Sequence, residues 1–99
     1  MTEFSLIAEI RAKPIQAEAM KTRLLALVAP TLEEPGCLDY RLHQSQTDPR
    51  QFLIFERWTS REALDAHFAR PYLVDFIARQ DEVLDGSIEM RFFDPLDPI

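Results

Sequence analysis

Glycine is scarce. Only Gly36 and Gly86 occur in the 99 residues, so no glycine-rich loop can wrap the phosphates of a nicotinamide, a flavin or a nucleoside triphosphate. A Gly-x-Ser-x-Gly elbow, which would present a serine nucleophile, is absent too. The two histidines, His43 and His67, lie far apart with no cysteine at ligand spacing, so no metal-site pattern arises. The single cysteine, Cys37, cannot close an internal disulfide, which fits a reducing cytoplasm. No apolar run approaches the ~18 residues of a membrane span, and residues 1–11 lack the basic-then-apolar order of a secretory signal. Positive charge is also short: 11 Lys and Arg stand against 17 Asp and Glu, for a net charge of −6. Such a surface repels nucleic acid and anionic membranes. The expectation is a cytoplasmic protein with no metal and no tightly bound organic cofactor.

What is present suffices for a core. Apolar residues make up 46% and aromatics 10%, ordinary for a globular chain. The length suits one domain, 1–99. A domain this small buries only about two thirds of the surface of its unfolded chain, and gains from a partner that covers more.

Residues 3–12 place Phe4, Leu6, Ala8 and Ile10 on one face at period 2, which predicts a strand. Pro14 ends it and opens a helix over 15–33, with Ala17, Met20, Leu24, Leu27, Val28 and Leu32 as the apolar stripe. Pro30 should loosen its last turn, and Glu33-Glu34-Pro35-Gly36 closes it. A second strand over 37–46 alternates Leu38, Tyr40 and Leu42 against Cys37, Asp39, Arg41 and His43. The turn Thr47-Asp48-Pro49-Arg50 joins it to a third strand over 51–58 as a hairpin. Thr59 with Glu62 reads as a capping box for a short helix over 60–68. Pro71 opens a further helix over 71–84, which Gly86 ends. The last strand is 87–93, followed by a tail with Pro95 and Pro98.

The order β-α-β-β-α-β, with its second helix in two pieces, is the ferredoxin-like α+β arrangement, one antiparallel sheet with helices on one face. The other face should then be polar. Instead Leu53, Phe55 and Phe93 oppose the row of Phe52, Ile54 and Trp58, so both faces carry large apolar groups. A second copy packed sheet to sheet would cover the excess.

His67 shares a helical stripe with Ala63 and Leu64 and lies beside Phe68. In apolar surroundings desolvation favours the uncharged imidazole, a form able to act as general base. The plain alternative is a core histidine satisfied by a backbone carbonyl, or one at the helix edge facing water. Glu56 interrupts an apolar row, where it could hold a proton, orient a donor or pair with Arg41 across the hairpin. Tyr40 and Trp58 offer aromatic walls with one polar tip each. Tyr72 and Phe76 share a helix face four residues apart, with the Tyr72 hydroxyl near a helix start. Each aromatic taken alone is more often a plain core residue than part of a binding site. Together they describe an apolar pocket with a few polar tips, suited to a flat aromatic ligand. Cys37 reads as buried and inert, and His43 as a surface residue.

Three stretches carry a resemblance: Glu34-Pro35-Gly36-Cys37-Leu38-Asp39-Tyr40; Asp48-Pro49 leading into Phe52-Leu53-Ile54-Phe55-Glu56-Arg57-Trp58; and Glu62-Ala63-Leu64-Asp65-Ala66-His67. The chain resembles the antibiotic biosynthesis monooxygenase family over nearly its whole length. The resemblance implies a dimeric α+β barrel of ferredoxin-like subunits. It further implies oxidation of quinols, anthrones or related phenols by dioxygen without a cofactor. On it, His67 is the acid/base group and Tyr72 a hydroxyl partner. Glu56 orients a polar group, and Tyr40, Trp58, Phe68 and Phe76 line the substrate pocket. Many relatives carry a second histidine in a Ser-Pro-His pattern, where this chain reads Arg70-Pro71-Tyr72. Tyrosine donates a hydrogen bond but is a poor base near neutrality. Haem-degrading relatives use an asparagine, and this sequence has none. Two other expectations stay open: an isomerase of a small phosphorylated dione, and a non-catalytic ligand-binding or stress-response module.

Overall fold

The computed structural model describes residues 3–97. Met1, Thr2, Pro98 and Ile99, and with them the outer bounds of the expected 1–99 domain and the second proline of the tail, lie outside the described residues. The elements run β1 (Phe4–Arg11), α1 (Ala17–Leu32), β2 (Cys37–Gln44), β3 (Gln51–Trp58), α2 (Arg61–Phe68), α3 (Pro71–Arg79), a 3-10 turn (Gln80–Glu82) and β4 (Glu89–Phe93). All pairings are antiparallel, in the order β2-β3-β1-β4. This is the expected ferredoxin-like α+β arrangement.

The period-2 patterns of β1 and β3 set the centre of the sheet. Their register pairs Phe4 with Trp58, Leu6 with Glu56, Ala8 with Ile54 and Ile10 with Phe52, and all eight side chains are buried on the helix side. Helix α1 covers this face with Met20, Leu24, Leu27 and Thr31. The expected stripe ended on Leu32, which is 48% exposed. The spacing 20, 24, 27, 31 follows 3.6 residues per turn, and Leu32 falls one position past it. The helix also begins later than expected, because Pro14 and Ile15 form a turn with Ile15 at a φ of 61°.

Local backbone chemistry corrects three further expectations. A β-bulge opposes Cys37 to Trp58 and Asp39 to Arg57, so Leu38 is the extra residue. Leu38 is turned out to solvent and Cys37 packs on the core, the reverse of strict alternation. The N-cap of α2 is Ser60, whose hydroxyl accepts from the Ala63 N–H at 3.1 Å. Thr59 is still tied to the sheet, its N–H donating to the Gly36 carbonyl at 2.9 Å, so the cap moves one residue on. Finally, α3 stops at Arg79 because residues 83–85 fold back on the end of β1: Lys13 N–H donates to Val83 O and Asp85 N–H to Arg11 O, each at 2.8 Å.

Gly36 makes the close approach of the α1–β2 turn to α2 possible. Its φ is 88°, and a Cβ there would lie 2.6 Å from Ala63 Cβ and 2.7 Å from Thr59 Oγ1. Strand β4 lies at the sheet edge, beyond the helical layer. It starts at Glu89 rather than 87, and all five of its residues are exposed. Phe92 rests against Phe4, ring centroids 5.8 Å apart, under the Arg61 guanidinium 4.4 Å from its ring.

Candidate functional site

A cavity of about 300 Å³ lies between the sheet and the helices. Ala8, Ile10, Tyr40, Ile54 and Glu56 line it from the strands, and Leu24, Leu27, Leu73 and Phe76 from α1 and α3. His67 and Phe68 reach it from α2. Ile77 of α3 and Met90 of β4, both exposed, stand where it opens. Gln80, Ser87 and Ile88 complete the open side.

Glu56 sits among the sheet residues of the wall, where the apolar row of β3 admits one carboxyl. The Trp58 indole N–H donates to its Oε1 at 2.9 Å. Burial pushes the carboxyl up to about 7, with the charge of Glu34 adding to the rise and the indole bond opposing it. The cross-hairpin pair with Arg41 does not form. Tyr40 is the register partner of Glu56, and Arg41 is opposite Phe55 on the other face. Tyr40 is buried, and its phenol is pushed far above its usual range by burial and then by Glu56.

His67 is buried at the inner end of the cavity among three aromatic rings: Trp58 at 4.9 Å, Phe68 at 5.5 Å and Tyr40 at 5.7 Å between centroids. Its Nδ1 is 2.9 Å from Glu34 Oε2. The Tyr72 hydroxyl donates to the same oxygen and also lies 3.3 Å from the Pro30 carbonyl. Burial and the Glu34 contact push the Tyr72 phenol up to about 12. Arg70 Nε stands 3.8 Å from Glu34 Oε1.

The structure thus brings His67, Glu56, Tyr40, Phe68 and Phe76 to one cavity, and places Trp58 behind it, in contact with both Glu56 and His67. Tyr72 turns to Glu34 instead of the cavity mouth. Glu34 itself escaped the sequence reading, although it continues the inward spacing Leu27, Thr31, Glu34 past the end of α1. Cys37 is half-buried, with its thiol 3.6 Å from the Asp39 carbonyl and pushed up to about 11 by burial and by the charges of Glu56 and Glu34. His43 is exposed, its Nδ1 3.1 Å from the Arg41 carbonyl. Among the described residues no three His, Cys, Asp or Glu side chains converge as metal ligands, and no helix is long and apolar enough to cross a membrane.

Comparison with known proteins agrees with this fold. The profile of the family described as antibiotic biosynthesis monooxygenase matches residues 3–79. Rv0793 of Mycobacterium tuberculosis, whose name proposes a monooxygenase, is 33% identical over 94% of this chain and 91% of its own. Its solved structure superposes with a TM-score of 0.90, covering 98% of both chains at 31% identity. The crystal structure of PA3566 from Pseudomonas aeruginosa gives a TM-score of 0.93 at 35% identity, over 98% of this chain and 97% of that one. An uncharacterised protein of Synechocystis sp. is 32% identical over 85% of this chain, which spans only 57% of that longer relative. By profile, sequence and superposition alike, the chain belongs to the antibiotic biosynthesis monooxygenase family.

Proposed function

We propose that the cavity oxidises a hydroxylated aromatic compound, a quinol, an anthrone or a close analogue, with dioxygen and with the substrate itself as electron source. The observation that carries this reading is the composition of the cavity: an apolar space of about 300 Å³ into which a buried imidazole and a buried carboxyl project. That volume is at the small end of ligand pockets. Among the described residues that line it there is no Lys or Arg, which disfavours a phosphorylated dione, whose phosphate needs a cationic partner.

His67 takes the acidic proton of the substrate, leaving an electron-rich anion in a dry site. The anion passes one electron to dioxygen, and the substrate radical and superoxide combine into a carbon-bound peroxide. Loss of water then turns the attacked carbon into a carbonyl. One oxygen atom stays in the product, and the other leaves as water with the two hydrogens the substrate gave up. Glu56, near 7, exchanges a proton readily at neutral pH and orients the substrate hydroxyl. Tyr40, Phe68 and Phe76 flank the ring and Trp58 fixes Glu56. Tyr72 acts at one remove, through Glu34.

The helix-free face of the sheet supports a homodimer. Ile7, Leu53, Phe55 and Phe93 form an apolar patch there, and a second copy packed against it would close the barrel. Sedimentation should give twice the chain mass for the native protein and a single chain for Phe55→Glu.

Dioxygen uptake with a panel of reduced quinols and anthrones tests the chemistry against a protein-free blank. Saturable uptake with a carbonyl product, reduced ~10²-fold or more in His67→Ala, is expected. No uptake above the blank with any compound would replace the enzyme by a binding module.

A further inference from the structure

Glu34 lies just past α1, with its side chain 3% exposed. A carboxylate that far from water is held only by partners that replace hydration, and this one has three. Two groups meet at Oε2: the His67 Nδ1, 2.9 Å away, and the Tyr72 hydroxyl, which donates to it. Oε1 faces Arg70 Nε at 3.8 Å, longer than a hydrogen bond, and among the described residues neither of these two atoms has another bonding partner.

An ionised carboxylate oxygen accepts and cannot donate. A singly protonated imidazole facing Oε2 therefore carries its proton on Nδ1. Nε2 is then bare, on the edge of the ring away from Glu34, and the ring itself lines the cavity. Trp58, Phe68 and Tyr40 pack around the ring but supply no competing bond to either ring nitrogen.

We infer that Glu34 is a positioning residue: it holds His67 in the Nδ1–H tautomer with Nε2 turned to the cavity, and Tyr72 and Arg70 hold Glu34 in turn. Nε2 is the atom that takes the substrate proton, a role that rests on the oxidation proposed above. The tautomer does not rest on it. The tyrosine that stands near His67 thus serves as an anchor for the carboxylate, not as a second base.

Nitrogen-15 NMR of the imidazoles tests the inference without any substrate. His43→Gln leaves His67 as the one remaining histidine and changes only an exposed position. In that background His67 should show the Nδ1–H tautomer. Glu34→Gln offers an amide that can donate to Nδ1, so the Nε2–H form should appear, while Glu34→Asp should keep Nδ1–H. With any quinol that is turned over, Glu34→Gln should lower kcat by roughly 10- to 100-fold with little change in KM, because the residue does not touch substrate. An Nε2–H tautomer in the parent, or the same tautomer in parent and Glu34→Gln, would overturn the inference. If Glu34→Gln does not fold, the tautomers of the parent and of Glu34→Asp still decide it. Absence of turnover with every compound removes the oxidation and leaves the tautomer to be judged alone.

Discussion

Trp58 and Glu56 lie two residues apart on one face of β3, and the indole N–H of the first donates to the carboxyl of the second at 2.9 Å with both buried. One neutral donor does not replace the lost hydration, so the carboxyl rises to about 7 from an ordinary 4.5. Between these values the unfolded chain has released its proton and the folded chain still holds it. Each rise in pH therefore favours unfolding, until the loss is complete above about 7. A rise of this size corresponds to about 3 kcal/mol. Glu56→Gln keeps an acceptor for the indole and cannot ionise. Urea unfolding at fixed protein concentration should show it matching the parent near pH 4 and exceeding it by up to about 3 kcal/mol above pH 8. A difference that does not change with pH would refute the burial argument.

The two glycines should respond unequally to alanine. Both have positive φ, 88° at Gly36 and 83° at Gly86, but a Cβ at Gly86 meets nothing within 4 Å. Gly86→Ala should cost only the left-handed backbone penalty, about 1 to 2 kcal/mol. Gly36→Ala must also push α2 away from the α1–β2 turn, and should cost more than ~3 kcal/mol or fail to fold. Thermal unfolding of the pair decides, and equal losses would contradict the close approach.

Cys37 should be a slow thiol despite its partial exposure. Its rise to about 11 leaves little thiolate at neutral pH. Alkylation of the folded protein near pH 8 should run roughly 10²-fold slower than for a free cysteine, and reach the free rate in denaturant. Fast labelling of the native chain would show that the bulge opens.

The chain has two tyrosines, Tyr40 and Tyr72, and both are raised. Tyrosinate absorbance should stay flat through pH 10, where a free phenol is half ionised, and appear only near 12 or on unfolding. In Tyr72→Phe the hydroxyl no longer donates to Glu34, and a loss of about 1.5 to 3 kcal/mol is expected. A hydroxyl that faced the cavity would cost far less.

Replacing Ser60 by alanine should cost about 1 kcal/mol through the lost cap of α2. Thermal unfolding measures it, and an unchanged midpoint would move the cap elsewhere.

Side-chain parity is a local property, so period 2 put Phe52, Ile54, Glu56 and Trp58 on one face, and the helical stripe turned His67 toward the sheet; which face of the sheet meets the helices came only with the fold. Tyr40, Glu56, Phe68 and Phe76, singled out by pattern, line one cavity, but their patterns did not show that they would meet. Backbone exceptions were not readable. Nothing in the letters announces that Leu38 bulges, or that a bond from Thr59 to Gly36 moves a cap to Ser60. The link from Glu34 to His67 spans 33 residues and depends on how the end of α1 meets the last turn of α2. Either of two consecutive glutamates, Glu33 or Glu34, could have turned inward, and the helical angle at the last turn chose Glu34.

Strand β4 gives the fold an unequal capacity for change. Met90 borders the cavity yet is 43% exposed, so a replacement there alters what the space admits while disturbing little of the core. At the opposite end, Trp58, Tyr40 and His67 are wedged together, and almost any exchange would be felt throughout the sheet. On the oxidation proposed above, substitutions along this one edge strand would change which molecules enter, while substitutions at the wedged end would disturb the proposed proton acceptor.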